Sequence, residues 1–544
     1  MRASTAALIL ATASSVEITS LPEKWPQRLG SGSLERELYD GGRHQCSTVS
    51  IVFELQIERP APGARDAAKI LHQQLRQAII DGRLAAGSRL PPTRLSPQCF
   101  GVSRNTLTEV YERLLDEAMI TTRRGAGTYV AARRGRSRTQ QDAREIPPPP
   151  GRPFWLSEDV RSAMGFWDDS TGVVARPTVA DFRPAQVDSR EFPHATFRRL
   201  MAQQLRALDR RPPSARGPHG NQGNRGLRAA IAHHIALTRA VACAPDEIGV
   251  TAGAQQAFDL LARVLVIPGS TVVAVEDPGY PPMRVAFAAA GARVAPVPID
   301  DEGLLVDAIP RDARVVCLCP SHQFPIGVTM SARRRAELLA FARGTGAVIV
   351  EDDYDGEFRL EGSPLPALRT LDAADVVCYV GTFSKCMLPS LRLGFVIPPA
   401  WMRDAVTAAK NCADWHCPTA TQLGVAAFMQ EGHLARHIRR MRGIYASRKH
   451  HLWRKLETDF AGLLTPVPSS YGMHVCALTT NGFEVEQLCA RVRADGVELH
   501  SLSRYYAGTA TRAGLVFGLG TSDEAAINRG LRSLRKAANG SFMP

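Results

Sequence analysis

Lys385 is the residue whose neighbours say most about chemistry. Hydroxyls precede it at Thr382 and Ser384, and the guanidinium of Arg392 follows seven positions later. A lysine amine can form a Schiff base with an aldehyde, while hydroxyls and a guanidinium can bind phosphate. The combination suits an aldehyde that carries a phosphate, and pyridoxal 5'-phosphate (PLP) is such a compound. Lys385 is therefore the predicted catalytic residue.

An acidic segment upstream adds the groups that a pyridine ring needs. The apolar run Val348–Val350 ends in Glu351, Asp352, Asp353 and Tyr354. An acid that faces the pyridine nitrogen keeps it protonated, so that the ring acts as an electron sink. We expect Asp352 in that role and Tyr354 on the ring hydroxyl. Asp353 is the adjacent alternative, which strand alternation would point the other way.

Further segments supply the remaining contacts of the predicted PLP site. The Gly253 turn opens a helix, whose first backbone N–H groups can bind a phosphate. Tyr280 can stack on the ring, and His322 is expected at the edge of the pocket, where it would contact a substrate or effector. No metal is expected. The predicted cofactor-binding residues are Lys385, Asp352, Tyr354, Tyr280, Ala254, Gln255, Thr382, Ser384 and Arg392.

The elements that must position these side chains follow from the pattern after Asp181. Strand-like and helix-like segments alternate, which predicts an α/β domain, and short fully apolar runs indicate a sheet covered on both faces. A basic helix, His433–Arg442, then introduces a smaller C-terminal subdomain. The predicted strands are Thr271–Val275, Val315–Cys319, Ala347–Val350 and Val376–Val380, and the helices include Gln255–Val266, Arg333–Arg343 and Trp401–Cys412.

A second signal lies nearer the N-terminus, where the chain is strongly basic. Between Ala61 and Gln140 there are 14 Lys and Arg against 6 Asp and Glu, so this segment carries more than half of the net charge of +13 of the 544-residue chain. A local basic excess favours a polyanionic partner. Without an accompanying motif, a solvated basic face would explain it equally well.

The same segment carries a helix-turn-helix pattern. Apolar residues four apart predict a helix over Ala68–Asp81, and Pro91-Pro92 opens a second helix. Ser103 is a good N-cap for a third, with Leu107, Tyr111 and Leu114 facing inward. Two short strands, Ile120–Thr122 and Thr128–Ala131, enclose a basic turn. Three helices and a basic hairpin form a winged helix-turn-helix.

Together the segments Gly87–Arg94 and Gly101–Thr106 resemble the GntR-type winged helix. That resemblance implies a recognition helix whose first residues enter the major groove, where Arg and Asn suit direct readout of bases. Wing arginines would reach phosphate or the minor groove. The expected DNA-binding residues are Arg94, Ser103, Arg104, Asn105, Thr106, Arg123 and Arg124. Pro97 departs from the pattern, because it falls inside the second helix and predicts a kinked or short one.

The segments around Lys385 resemble the aminotransferase domain of MocR-type regulators, which join a GntR winged helix to a PLP fold-type I domain. The resemblance implies a homodimer that binds an operator in double-stranded DNA. Three departures affect the carry-over. Gly217–Gly226 lacks Tyr, Phe and Trp. Cys386 follows the lysine; its thiol could react there, but we expect it to be packed and inert. No arginine stands at the expected carboxylate-binding place, which leaves Arg512 or Arg504.

The cysteines and the apolar runs indicate the cellular compartment. Eleven cysteines lack any framework spacing and are expected to be buried free thiols in a reducing cytoplasm. No apolar run is long enough to span a bilayer. The run Ala6–Ala13 makes only a poor signal peptide, and a DNA-binding domain follows it. The expected organisation is a poorly ordered extension 1–60, a winged helix 61–133, a linker 134–180 that is basic and then proline-rich, and a PLP-binding domain 181–544 with subdomains of about 215–430 and 431–544.

The sequence thus predicts a PLP-dependent transcription regulator that senses an amino compound or PLP and carries the change through the linker. A working aminotransferase with a DNA-binding appendage is the alternative, since nothing is missing at the ring. An enzyme whose N-terminal domain only dimerises is disfavoured by Arg104 and the basic wing.

Overall fold

The computed structural model describes residues 66–123, 125–131, 178–210, 220–362, 365–479 and 484–539. The chain divides into two compact units, Met1–Ile146 and Pro147–Pro544. The predicted extension 1–60, most of the predicted linker, Arg124 and the start of the Gly217–Gly226 stretch lie outside the described residues.

The first unit is a winged helix. Its helices are α1 (Ala67–Ile80), α2 (Ser96–Phe100) and α3 (Arg104–Asp116), and its strands are β1 (Arg89–Leu90), β2 (Ile120–Arg123) and β3 (Gly127–Val130). The strands form an antiparallel sheet in the order β1–β3–β2. The inward-facing residues predicted for α1 and α3 are buried, among them Leu71, Leu75, Leu107 and Leu114, each 0% exposed. The strand β1 was not predicted.

The second helix of this unit differs from the expectation in one respect. A 3-10 turn, Thr93–Leu95, follows Pro91-Pro92, and α2 begins only at Ser96. Pro97 therefore lies in the first turn, not in the helix interior. A first-turn residue has no helical partner for its amide, so proline costs little there. The prediction of a short helix is confirmed, and the interior placement of Pro97 is wrong.

The second unit contains an eight-stranded sheet that is parallel in its centre. The strands are β5 (Gly249–Thr251), β6 (Val272–Asp277), β7 (Arg293–Asp300), β8 (Gly303–Leu304), β9 (Ala313–Leu318), β10 (Val348–Asp353), β11 (Val377–Thr382) and β12 (Gly394–Ile397). Their order in the sheet is β5–β12–β11–β10–β9–β6–β7–β8, with β12 antiparallel to both neighbours. The four predicted strands correspond to β6, β9, β10 and β11.

Helices cover this sheet, and most of its strand residues are buried, as a sheet enclosed on both faces requires. Strand β7 is the exception, since only Val297 and Ile299 are buried there. The helices are α4 (His194–Arg210), α5 (Arg225–Arg239), α6 (Ala254–Leu265), α7 (Pro281–Ala289), α8 (Ala332–Thr345), α9 (Arg403–Ala413) and α10 (Thr419–Gln430). Three of them, α6, α8 and α9, match the predicted helices within about three residues.

A smaller antiparallel sheet lies in the C-terminal part, in the order β13–β14–β17–β16. The basic helix predicted as His433–Arg442 is longer and runs to Asp459, because apolar residues continue at helical spacing through Leu452 and Leu456, both 0% exposed. The elements are α11 (His433–Asp459), β13 (Leu464–Pro466), β14 (His474–Thr479), α12 (Val485–Ala494), β15 (Val497–Glu498), β16 (His500–Ser501), β17 (Gly514–Gly518) and α13 (Glu524–Asn539).

The segment that leads into the second unit packs on this C-terminal part. Strand β4 (Ala180–Asp181) pairs with β15, and the ring of Phe182 meets that of Phe517 at 5.5 Å. The chain then passes Gly518 and Gly520, where a Cβ would lie 2.2 Å and 1.9 Å from backbone oxygens of this segment. Glycine is required at both positions because two backbones meet there.

Most of the described cysteines follow the prediction. All ten cysteines in the described part of the chain are free, and seven of them are buried. Cys386, next to Lys385, is 1% exposed, and burial raises the pKa of its thiol well above the usual value. It is thus packed, as expected. Cys412 is exposed and Cys99 and Cys243 are half-buried, so the expectation of buried thiols is wrong for these three residues.

Candidate functional site

A cavity of ≈ 300 Å³ lies where β10 and β11 end, at the carboxyl edge of the parallel strands. Ligands of open α/β sheets bind at this edge. All nine residues predicted to bind the cofactor line it. The lining residues are Ala185, Ala254, Gln255, Tyr280, Pro282, Phe324, Asp352, Tyr354, Thr382, Ser384, Lys385, Pro389 and Arg392.

The amine of Lys385 projects into this cavity from the loop after β11. Burial lowers the pKa of the amine to about 8, while Asp355 and Asp352 oppose that effect. Its Nζ donates a hydrogen bond to the backbone oxygen of Ala185 at 2.7 Å. A lysine with a pKa near neutrality has an appreciable fraction of uncharged amine, which is the nucleophilic form.

The two aspartates at the end of β10 face opposite sides of the sheet, as predicted. Asp352 lies in the cavity and is 3% exposed, and burial raises the pKa of its carboxyl to about 7. Asp353 accepts hydrogen bonds from Arg239 Nε at 2.5 Å and from the Tyr379 hydroxyl at 2.5 Å. Only Asp352 is available to a ligand of the cavity.

The glycine turn before α6 forms a cradle of backbone and cationic groups. Gly253 has φ of +80°, and a Cβ there would lie 2.9 Å from Nη2 of Arg392. The amides of Ala254 and Gln255 follow at the start of α6, where N–H groups lack helical partners. Arg392 donates to the Ala252 carbonyl at 3.0 Å, so its guanidinium is fixed beside the turn.

The hydroxyls of the lysine loop point to the same place. Thr382 donates to the Ser384 oxygen at 3.0 Å, and the Ser384 amide donates to the Thr382 hydroxyl at 3.1 Å. A helix N-terminus, two hydroxyls and a guanidinium form a donor set that suits a phosphate.

Aromatic side chains form the wall of the cavity. Tyr280 meets Phe324 edge-on at 5.7 Å, and Phe324 meets Tyr354 edge-on at 6.0 Å. Sequence reasoning missed Phe324, Ala185, Pro282 and Pro389. Phe324 lies two positions after His322, which was singled out. The lining role of Ala185 depends on a fold contact two hundred residues along the chain, which leaves no local signal.

Three residues proposed for a substrate or effector are not among those that line the cavity. His322 is 2% exposed, and its Nδ1 lies 2.8 Å from the Tyr354 hydroxyl. Arg504 lies in the 3-10 turn after β16, and Arg512 lies just before β17. The expected role of either arginine in holding a carboxylate stays a prediction.

The residues of the cavity fit PLP. Oδ1 of Asp352 is buried and has no hydrogen-bond partner among the described side chains and backbone. An unpaired buried carboxylate oxygen is costly, and a protonated pyridine nitrogen would satisfy it. With the amine of Lys385 and the phosphate cradle of Arg392, Thr382 and Ser384, the cavity offers a partner for each polar group of PLP.

The first unit presents a candidate nucleic-acid surface. Arg94, Arg104, Asn105 and Arg123 are exposed, and Arg123 lies over the Tyr129 ring at 4.9 Å from its centroid. Ser103 is the N-cap of α3, as predicted, and its Oγ accepts from the Thr106 amide at 3.2 Å.

Among the residues that the structure describes, none of the helices has the length and apolar character needed to span a bilayer.

Two family models match the two units. Residues 68–130 match the bacterial regulatory proteins of the gntR family, and residues 190–497 match aminotransferase class I and II. The combination defines a class of protein in which a winged helix-turn-helix precedes a PLP fold-type I domain.

Relatives with the same arrangement extend over most of the chain. The probable rhizopine catabolism regulatory protein MocR of Rhizobium meliloti is 34% identical over 478 residues, which cover 87% of this chain and 94% of the relative. The pyridoxine biosynthesis regulator PdxR of Corynebacterium glutamicum is 30% identical and covers 84% and 92%. The chain belongs to the MocR-type family and is an HTH-type transcriptional regulator.

Solved structures resemble the larger unit. LysN, an α-aminoadipate aminotransferase of Thermus thermophilus complexed with N-(5'-phosphopyridoxyl)-L-leucine, is 27% identical, has a TM-score of 0.60, and covers 69% of this chain and 98% of its own. A kynurenine aminotransferase of Pyrococcus horikoshii, 24% identical with a TM-score of 0.62 and coverage of 71% and 96%, shows the same fold.

Proposed function

We propose that this regulator binds PLP on Lys385 and responds to a small amino compound that competes with Lys385 for the cofactor. The observation that carries the proposal is that one cavity is lined by both Lys385, whose amine has a pKa of about 8, and Asp352, whose Oδ1 has no partner among the described residues. The complex of the neighbour LysN with a phosphopyridoxyl amino acid supports it.

Each residue of the cavity has a proposed role. Asp352 binds the pyridine nitrogen, Tyr354 the ring hydroxyl, and Tyr280 stacks on the ring. Ala254 and Gln255 bind the phosphate through backbone N–H groups, with Thr382, Ser384 and Arg392 adding side-chain donors. PLP, when bound, supplies an aldehyde carbon that can pass from one amine to another.

The Ala185 carbonyl has a further proposed role in this exchange. It accepts from the Lys385 amine at 2.7 Å, so it can hold that amine when an effector amine has taken its place on the cofactor. Ala185 belongs to the segment of β4, which opens the part of the larger unit that the structure describes. A change at Lys385 would thereby reach the segment that continues from the proposed linker 134–180.

For DNA, we propose that the start of α3 enters the major groove of a double-stranded operator. Arg104, Asn105 and Thr106 would read bases, and Arg94, Arg123 and Arg124 would contact phosphates or the minor groove. The exposure of Arg94, Arg104, Asn105 and Arg123 supports this. A homodimer would present two such helices to a two-part site, and the DNA-binding role favours a cytoplasmic location.

A second candidate function is transamination. The larger unit contains Lys385, Asp352 and Tyr354, all of which line the cavity. An aromatic-amino-acid aminotransferase of Thermococcus litoralis is 30% identical over 281 residues, or 50% of this chain. Against turnover, neither Arg504 nor Arg512 is among the residues that line the cavity.

The experiment titrates the PLP-loaded full chain with amino acids and with amines, while the visible spectrum and DNA binding are recorded together. The DNA is a site that the protein itself selects from a random-sequence library. We expect one class of amino compound to change both signals. Lys385→Ala should lose the visible band of lysine-bonded PLP and keep basal DNA binding.

The outcomes separate the proposals. Absence of a visible band from the loaded wild-type protein contradicts PLP binding. Loss of DNA binding from a folded Lys385→Ala dimer contradicts the modular regulator. Steady conversion of an amino donor and a keto acid at about 1–10³ per second would favour the aminotransferase.

A further inference from the structure

His322 touches the cavity only through another residue. Its ring is 2% exposed and lies 5.7 Å from the ring of Tyr354, centroid to centroid. Its Nδ1 lies 2.8 Å from the Tyr354 hydroxyl and 2.7 Å from Oδ2 of Asp355. One ring nitrogen thus joins a residue of the cavity wall to a buried carboxyl that is 1% exposed.

The plane of the His322 ring is fixed by its neighbours. It stacks on Tyr471 with centroids 4.4 Å apart and planes at 8°, and on His474 with centroids 4.6 Å apart. A Cβ at Gly327 would lie 3.5 Å from Nε2 of His322. With the ring held in this way, the direction of the Nδ1 hydrogen bond is fixed as well.

Tyr354, His322 and Asp355 form a trio whose protons can be counted. A neutral imidazole nitrogen either carries one proton or offers one lone pair, so Nδ1 cannot serve Tyr354 as acceptor while it is engaged with Asp355. Nε2 of His322 has no hydrogen-bond partner among the described residues. A proton on Nε2 would leave a buried donor unpaired, so the ring proton belongs on Nδ1, where Asp355 accepts it.

We propose, on the basis of the proposed PLP site, that His322 and Asp355 are positioning residues that set the direction of the Tyr354 hydroxyl. Nδ1–H of His322 donates to the Asp355 carboxylate. The hydroxyl proton of Tyr354 is then turned away from His322 and into the cavity, where it is donated to the ring oxygen of PLP. His322 thereby acts behind the wall of the cavity and not as a ligand contact.

The charges around the trio are balanced in sign. Asp352, Asp353 and Glu357 face it from the acidic side, and Arg239, Lys385 and Lys449 from the basic side. Tyr471, His474 and Cys319 are the other titratable neighbours. Burial lowers the pKa of His322 to about 3, and Lys449 acts in the same direction, so the ring is neutral with a single proton.

Burial also raises the pKa of Asp355 well above its usual value, with Lys385 and Arg239 opposing the shift. Were Asp355 protonated, it would itself donate to Nδ1, and Tyr354 would again find that nitrogen engaged. In both proton arrangements Asp355 occupies Nδ1. Removal of the carboxyl should therefore free Nδ1 to accept from Tyr354 and withdraw its hydroxyl from the cavity.

The test is a pH titration of the visible band of the PLP-loaded full chain. Tyr354→Phe should raise the midpoint, because loss of the donor destabilises negative charge on the ring oxygen, and about one pH unit is expected. Asp355→Leu should raise it equally, whereas Asp355→Asn, which keeps a partner for Nδ1, should stay close to wild type. In the double variant Asp355→Leu/His322→Phe, the midpoint should return most of the way to the wild-type value, because the competing acceptor Nδ1 is gone.

A merely structural role would give a double variant as damaged as Asp355→Leu or more so, and that result overturns the proposal, as does an unshifted Asp355→Leu. A wild-type protein with no visible band contradicts the PLP site itself instead. Should Asp355→Leu fail to fold, [¹⁵N]histidine spectra of the PLP-free protein decide, with the His322 signals identified by their absence from His322→Phe. A neutral ring with its proton on Nδ1 is expected, and a charged ring, or a proton on Nε2 while ¹³C spectra show an ionised Asp355 carboxyl, overturns the proposal.

Discussion

In the winged-helix unit the described residues proposed to bind DNA are exposed apart from the half-buried Thr106, whereas in the larger unit the residues proposed to bind PLP are buried or half-buried apart from Arg392. Arg94, Arg104 and Asn105 face solvent at the start of helices. Asp352 and Lys385, in contrast, have pKa values shifted to about 7 and about 8 by burial. The first surface is open to a large partner, and the second site is already organised around a small one.

The difference concerns the effect of each set of residues on the free energy of folding. An exposed arginine costs the fold nothing, so its replacement should change affinity and leave stability alone. A buried acid with an unpaired oxygen opposes folding until a ligand satisfies it. The two surfaces should therefore respond to mutation in opposite ways, and substitutions at three positions test this.

The largest effect is expected at Asp352. Asp352→Asn should weaken PLP binding about a hundredfold, because removal of one partner of a buried charged pair costs several kcal/mol. The PLP-free protein should nevertheless be at least as stable as wild type, since a buried carboxyl with an unpaired oxygen has gone. Equilibrium dialysis with PLP and thermal unfolding without it measure the two quantities.

The pH dependence has a defined sign. The pKa of Asp352 is about 7 in the fold against an ordinary value of 3.8, so the fold binds this proton more tightly. The stabilising contribution of the proton is lost as pH rises from about 4 to about 7. Wild-type PLP-free protein should lose stability over that window relative to Asp352→Asn. Asp353→Asn, on the opposite face and bonded to Arg239, is the matched control and should destabilise the fold instead.

A smaller effect is expected at Arg104, in the other region. Arg104→Ala should weaken binding to the selected DNA site by about 1–3 kcal/mol, the value of a good base contact, with the melting temperature and the PLP spectrum unchanged. Arg113→Ala is the matched control on α3, since Arg113 is exposed and bonded to Glu109 at 2.6 Å. Equal losses in the two variants would point to general charge and remove the recognition role of Arg104.

The smallest effect is expected at Ser103, which unites a structural and a proposed binding role. Ser103→Ala should destabilise the first turn of α3 by about 1 kcal/mol, the value of an N-cap. Hydrogen exchange of the Thr106 amide, which donates to Ser103 Oγ, reports this directly. Ser103→Thr keeps the capping hydroxyl and should retain protection. Unchanged exchange in Ser103→Ala would show that the cap contributes nothing.

How far the sequence predicted these regions differs between them. In the winged helix, Leu107, Tyr111 and Leu114 recur at helical spacing, and Ser103 precedes them as a cap, so the local pattern sufficed for α3. It did not suffice for β1, because Arg89 and Leu90 form a strand only by pairing with Tyr129 and Thr128. Pro97 was placed in a helix interior because the 3-10 turn before α2 has no strong local signature.

In the larger unit, most of the cofactor set was predictable because its members lie at or just after the end of a strand or at the start of a helix. Alternation along β10 separated Asp352 from Asp353, and the structure confirms that they face opposite sides. The position of His322 was not predictable. Its segment was identified, yet whether the ring faces the cavity or lies behind Tyr354 depends on Tyr471 and His474, which come from distant parts of the chain.

By itself, the sequence determined the two modules and singled out Lys385 as the lysine that can hold PLP and Asp352 as its acid, because these depend on residue type and local periodicity. The tertiary structure alone decided which groups share a proton or a hydrogen bond. Ala185 meets Lys385, and Asp355 meets His322 and through it Tyr354, only after distant segments have packed. Burial then shifts the pKa values of these groups, and burial is a property of the packed chain that no local pattern contains.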